Sequence, residues 1–208
     1  NTTSSLPNRL PAENPIMDLI LASTSPYRKA LLARLQRPFR CLPPETDETP
    51  LAGESGEQLA LRLAVDKARS VARAHPRSLV IGSDQVALLD DTLIGKPGNL
   101  DNARKQLSAS SGRRVMFLTG LALCHAASGL ELTHVEQFSV HFRELSAAAI
   151  ESYLAREQPL DCAGSFKCEG LGIALFDRMD GADPTSLEGL PLIALTSLLG
   201  QAGYPVLA

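Results

Sequence analysis

The amino-acid sequence predicts a mixed α/β (α+β) fold, on three observations. Apolar runs of strand length alternate with stretches whose apolar residues recur at helical spacing. Serines open the helical stretches, Ser25 before Pro26, Ser55 three residues before Gln58, and Ser146 before an alanine-rich run. No internal repeat or domain linker interrupts the pattern, so 17–208 reads as one domain.

Along the chain, Asp18 to Ala22 reads as a short buried strand. Ser25 then caps a helix whose first position, Pro26, has no amide hydrogen to leave unpaired. Phe39 to Leu42 is strand-like, and the proline-rich acidic run from Pro43 to Ser55 is a loop. Ser55 and Gln58 form a capping box for an amphipathic helix that continues through Leu59, Leu63 and Val71 to about Ala74. Leu79 to Gly82 and Val86 to Leu89 read as two strands interrupted by polar Ser83, Asp84 and Gln85, with Asp90 and Asp91 as a turn. Leu100 to Leu107 is helical, Val115 to His125 and Glu131 to Arg143 are strands about Ser128 and Gly129, and Ser146 to Arg156 is a capped helix. Ala163 to Gly172 is glycine-rich loop, and Leu190 to Leu199 an apolar helix.

Composition narrows the function classes. A hydrophobic content of 44% suits a globular protein, and a formal net charge of -3 gives no broad cationic face for a nucleic acid polymer. The longest apolar stretches, such as Leu118 to Cys124, are far shorter than the ~20 residues of a membrane-spanning helix, so no membrane partner is expected. Cys41, Cys124, Cys162 and Cys168 form no CxxC pair and read as reduced thiols; His75, His125, His134 and His141 lack metal spacing. Residues 1–16, rich in Asn, Ser, Thr and Pro, lack the basic and apolar parts of a signal peptide; they read as a flexible N-terminal extension, and the chain as cytoplasmic.

Several residues have the chemistry of an anion site. Ser23, Ser25 and Arg28 stand on a strand-to-helix turn, where free amides and the helix dipole favour phosphate. The plainer alternative is an N-cap and a solvated arginine, and no P-loop pattern is present. Asp84 in GSDQV follows an apolar strand and could activate water or bind a metal. Glu45, Asp47 and Glu48 add hard oxygen ligands of the kind Mg²⁺ prefers, or else form a solvated acidic loop. Lys67 and Lys96 could neutralise phosphate, although a lone lysine is usually a surface residue. Cys168, beside Lys167, lacks the cationic surroundings that a reactive thiolate needs.

Taken together, LILASTSPYRKALL at 19–32, ETDET at 45–49, RLAVDKA at 62–68, IGSDQV at 81–86 and GKP at 95–97 resemble the ordered motifs of Maf proteins. LSASSG at 107–112, TGLAL at 119–123, PLDCAGSFKCEG at 159–170 and GLPL at 189–192 continue the resemblance, which spans Met17 to Leu199. It implies a Maf/Ham1-like fold, related to the inosine triphosphate pyrophosphatases, with two lobes around a nucleotide cleft. It also implies an enzyme that splits nucleoside triphosphates between the α- and β-phosphates. By motif, Asp84 would be the general base. Ser23, Ser25, Arg28, Lys67 and Lys96 would hold phosphates, and Glu48 with Asp84 would place a divalent metal cation, Mg²⁺ or Mn²⁺. A homodimer is the default assembly for such enzymes.

Members that act on dTTP and UTP carry an arginine, a threonine and a glutamine where this chain has Tyr27, Gln85 and Glu169. The three departures together resemble the 7-methyl-GTP branch, although that branch often has tryptophan at the place of Tyr27. The chemistry agrees, because the methylated guanine is cationic and an aromatic face attracts it. A carboxylate at Glu169 can accept the adjacent donors of the guanine edge. Two alternatives stand beside this expectation: a pyrophosphatase for dTTP, UTP or another modified nucleotide, and a non-enzymatic regulator of septation.

Overall fold

A computed structural model describes residues 17–207; the extension expected over 1–16 lies outside the described residues. The chain runs β1 (Leu19–Ala22), α1 (Pro26–Ala33), β2 (Arg40–Leu42), α2 (Gly56–Ala72), β3 (Leu79–Leu89), β4 (Thr92–Ile94), α3 (Leu100–Ser110) and β5 (Arg114–His125). It continues with β6 (Leu130–Phe142), α4 (Ala147–Glu157), β7 (Phe176–Gly181) and α5 (Leu192–Gln201), with short 3-10 turns at Ala126–Ser128, Ala163–Ser165, Leu171–Leu175 and Pro184–Glu188. This is the mixed α/β fold predicted from the sequence. The strands form one mixed sheet in the order β2-β1-β3-β5-β6-β7, with β4 beside the far end of β3. β1 is parallel to β2 and β3, and the remaining pairs are antiparallel.

The expected helix starts are realised as capped turns. Ser25 accepts the Arg28 amide, Ser146 accepts the Ala149 amide, and Ser55 with Gln58 completes the reciprocal capping box. The buried positions of α2 fall in two adjacent columns, Leu59, Leu63, Lys67 and Val71 beside Ala60, Ala64, Ala68 and Ala72. Lys67 is thus the one charged member of a core-facing stripe. Small residues in the second column let the helix lie directly on the sheet. A Cβ added at Gly82 of β3 would stand 2.1 Å from the Ala64 carbonyl oxygen and 2.7 Å from the Ala68 nitrogen.

The break expected between two strands at 83–85 is not present. Ser83, Asp84 and Gln85 do not separate two strands; they lie within β3, paired with Leu121, Gly120 and Thr119 of β5. Successive side chains leave opposite faces of a strand, so the polar triplet divides between two environments. Val80 and Ala64 share one apolar cluster, which fixes the face of β3 that meets α2; Asp84 lies on it. Leu79 and Ile81 pack with α1 and α5 on the other face, the one that carries Ser83 and Gln85. Each polar group therefore finds partners across the chain, and the strand persists. β4 and β7 were also not foreseen: β4 is three residues long, and β7 is an edge strand whose sequence, FDRMDG, is exposed after Phe176.

A second apolar cluster gathers α3, α4, the ends of β5 and β6, and five phenylalanines. Phe166 meets Phe117, Phe142 and Phe176 edge to face, with centroids 5.3, 5.7 and 4.8 Å apart. Between this core and the one under α1 and α5, the sheet leaves a gap. β1 pairs with β3 only over Leu79–Ile81 and β4 only over Ala87–Leu89, so Gly82 to Val86 are paired on the β5 side alone.

Candidate active site

That gap opens into a cleft of about 550 Å³. The ten residues expected from the sequence to form a site, Ser23, Ser25, Tyr27, Arg28, Glu48, Lys67, Asp84, Gln85, Lys96 and Glu169, all line it. They come from the β1–α1 turn, the first turn of α1, the acidic loop, α2, β3, the segment after β4 and the loop before β7.

At one end, the β1–α1 turn presents polar groups in a fixed arrangement. Ser23 is buried and its Oγ accepts the Ser25 amide at 3.1 Å; Ser25 Oγ accepts the Arg28 amide at 3.3 Å. Each hydroxyl keeps its proton to donate. Arg28 donates through Nε to the Gly189 carbonyl oxygen at 2.7 Å, which holds the guanidinium against the cleft wall, and its burial lowers its pKa. Gly189 takes a left-handed φ of 104° to turn that carbonyl inward, and a Cβ there would crowd Arg28 Nε at 3.2 Å.

Lys67 crosses the middle of the cleft. Its Nζ lies 2.7 Å from Asp84 Oδ1 and 2.7 Å from Glu48 Oε1. Lys67 is only 7% exposed and Asp84 9%, so the pair is screened little by water, whereas the Glu48 side chain reaches solvent. The Lys67 ammonium beside Glu48 holds its carboxyl below the usual carboxylate range. Lys96 stands exposed at the rim and adds positive charge near Glu48. A cleft with a cationic centre, two converging carboxylates and a hydroxyl-lined helix start can hold a polyphosphate and take a proton from water.

The acidic loop divides. Glu48 enters the cleft, but Glu45 and Asp47 line a separate groove with Arg62, Arg69 and Arg73. Asp47 Oδ1 accepts the Thr49 amide at 2.9 Å, and the Glu45 amide donates to Ser70 Oγ at 3.3 Å. The grouping of three acids expected from the sequence is therefore corrected to one acid of this loop in the cleft, because a turn at Asp47 and the tie of the Glu45 backbone to α2 direct the other two elsewhere. Among the described residues no three His, Cys, Asp or Glu side chains are grouped to hold a metal ion. Glu48 and Asp84, both within reach of one Nζ, do form the pair of hard carboxylates with which Mg²⁺ is commonly held together with substrate phosphates. The donor set fits such an ion.

The cleft is lined further by Tyr27, Phe117, Phe166, Asp161, Glu169 and Glu188; the charges of Asp161 and Glu169 reach Tyr27, and that of Glu169 reaches Glu188. The loop that carries Glu169 is held by Phe166 in the aromatic cluster and by Tyr153 Oη, which accepts the Lys167 amide at 3.0 Å. Burial pushes the Cys162 and Cys168 thiols up to about 12, which leaves both protonated near neutrality. Gln85 donates through Nε2 to Ser186 O at 2.7 Å, Thr119 Oγ1 at 3.1 Å and Leu187 O at 3.4 Å. Glu188, Phe117, Phe166 and Asp161 were not singled out from the sequence. Only the motif GLPL beside Glu188 could have pointed to it.

No helix among the described residues is long and apolar enough to cross a membrane. A model of the family described as Maf-like protein matches residues 18–202. Among solved structures, the chain is similar to the Ham1 protein of Staphylococcus aureus, at 13% identity and a TM-score of 0.41 over 61% of this chain and 72% of that one. It is also similar to a HAM1 protein from Coxiella burnetii, at 16% identity and a TM-score of 0.43 over 62% and 75% of the two chains.

Proposed function

This chain belongs to the Maf-like protein family, and from that premise we propose that it hydrolyses 7-methyl-GTP to 7-methyl-GMP and pyrophosphate. The family suggests a nucleotide pyrophosphatase, a hydrolase. The observation that carries the reading for this chain is the make-up of one cleft: Arg28, Lys67 and Lys96 gather about Glu48, Asp84 and a serine-lined helix start, and the Tyr27 ring with Asp161, Glu169 and Glu188 completes the lining.

In this reading the triphosphate lies across Ser23, Ser25 and the positive end of the α1 dipole, with Arg28, Lys67 and Lys96 against its charges. Phosphate oxygens take Lys67 from its carboxylate partners and free Asp84 to accept a proton from an attacking water. As the new P–O bond forms, the bridge between the α- and β-phosphates breaks and the bridging oxygen leaves with its electron pair. Fixed cations stabilise the charge that develops, without reorganisation at the moment of reaction. Glu48 and Asp84 would hold the Mg²⁺ or Mn²⁺ ion, which when bound supplies further neutralisation of phosphate charge.

Tyr27 offers its face to the cationic ring of 7-methylguanine, and Glu169 accepts from the guanine edge. Gln85 acts through the backbone it holds rather than by donating to the base. The reading extends to a homodimer. Its test is kcat/KM across 7-methyl-GTP, GTP, UTP and dTTP at fixed pH, with Mg²⁺ and after exhaustive chelation. Preference for 7-methyl-GTP that is lost on chelation is expected; preference for UTP or dTTP overturns the choice of base, and undiminished turnover without metal overturns the metal role.

A further inference from the structure

The segment 183–189 is a stapled platform. Asp183, 1% exposed, accepts the Thr185 amide at 2.9 Å, the Thr185 hydroxyl at 2.6 Å and the Ile193 amide at 2.8 Å, and so ties the 3-10 turn to the start of α5. The carbonyls of Ser186 and Leu187 accept from Gln85, and that of Gly189 accepts from Arg28 and, at 3.0 Å, from Ser83 Oγ. Glu188 stands between these anchored points. Its backbone cannot drift, and its side chain lines the cleft, half-buried.

Glu188 forms no ion pair among the described residues, although arginines and lysines are frequent in this chain. The three cations that line the cleft are at its phosphate end, where two already have partners, Arg28 on Gly189 and Lys67 on Glu48 and Asp84. Glu188 lines the same cleft as Glu169, Asp161 and the Tyr27 ring; the Glu169 charge reaches it, and the Arg34 charge reaches it without forming an ion pair. We propose that Glu188 is a further specificity-determining residue, a fixed anion that favours a positively charged nucleobase over its neutral counterpart. The inference rests on the pyrophosphatase reading above and gives Gln85 its role: its amide holds the two carbonyls that precede Glu188.

Burial and the neighbouring charge of Glu169 push the Glu188 carboxyl above its ordinary range, against the opposing charge of Arg34, so a negative charge at this place is penalised in the free cleft. A cationic ring removes that penalty and a neutral ring does not. 7-methyl-GTP and GTP differ by one methyl group and this one charge, which makes them the matched probes.

The experiment measures kcat/KM for 7-methyl-GTP and GTP on the full chain at one pH and Mg²⁺ concentration, for wild type, Glu188→Gln and Glu188→Asp. Glu188→Gln is expected to lower the ratio of the two values about tenfold, an amount within reach of one partly screened charge. Glu188→Asp, which keeps the charge, should retain most of the preference. An unchanged ratio in Glu188→Gln, or an equal fall on both nucleotides, overturns the role of Glu188 and leaves the substrate reading standing. Equal use of the two nucleotides by wild type overturns the substrate reading and this inference with it.

Discussion

Lys67 Nζ donates to Asp84 Oδ1 across 2.7 Å, joining α2 to β3 where β3 has lost one sheet neighbour. Asp84→Asn keeps the shape of the side chain and leaves Lys67 its second partner, Glu48. The variant should fold as wild type by circular dichroism while turnover falls by about 100-fold or more, the usual scale of a lost general base. Retention of more than about a tenth of the rate would remove Asp84 from that role.

Gly82 sets how closely α2 approaches the sheet. In Gly82→Ala the new methyl would meet Ala64 O at 2.1 Å and Ala68 N at 2.7 Å, both backbone atoms that cannot rotate away. Overpacking of this kind costs about 1–3 kcal/mol or more and displaces the helix that carries Lys67. Denaturant unfolding should show the loss, with a parallel loss of turnover. Wild-type stability would contradict the described contact.

Cys168 lines the cleft beside Glu169, yet burial pushes its thiol up to about 12. At pH 8 it remains a thiol, so iodoacetamide should modify it slowly, and the rate should rise with pH well above the ordinary cysteine range. Cys168→Ala should keep most of the turnover. Rapid alkylation at pH 8 would show a thiolate and contradict the described surroundings.

The helix starts were readable because a cap is a local device: Ser25, Ser55 and Ser146 satisfy amides three residues on, and spacing alone reveals this. The members of the cleft were readable for another reason, since their motifs recur as an ordered set. What could not be read was non-local. Ser83, Asp84 and Gln85 look like a strand break until Gly189, Lys67 and Ser186 supply their partners. Glu48 and Asp47 are one residue apart and equally acidic, and only the fold sends one to the cleft and the other to the neighbouring groove. Glu188 directly precedes GLPL, but that motif does not show which way its side chain faces; its place follows from a platform tied by Asp183 and by contacts to β3 and α1.

A site that splits a triphosphate between its α- and β-phosphates is identified by its products. Purified protein with Mg²⁺ and 7-methyl-GTP should yield 7-methyl-GMP and pyrophosphate in equal amounts, resolved by ion-exchange chromatography, with no accumulation of orthophosphate. Release of orthophosphate with 7-methyl-GDP, or no turnover of any nucleoside triphosphate by the folded protein, would contradict it.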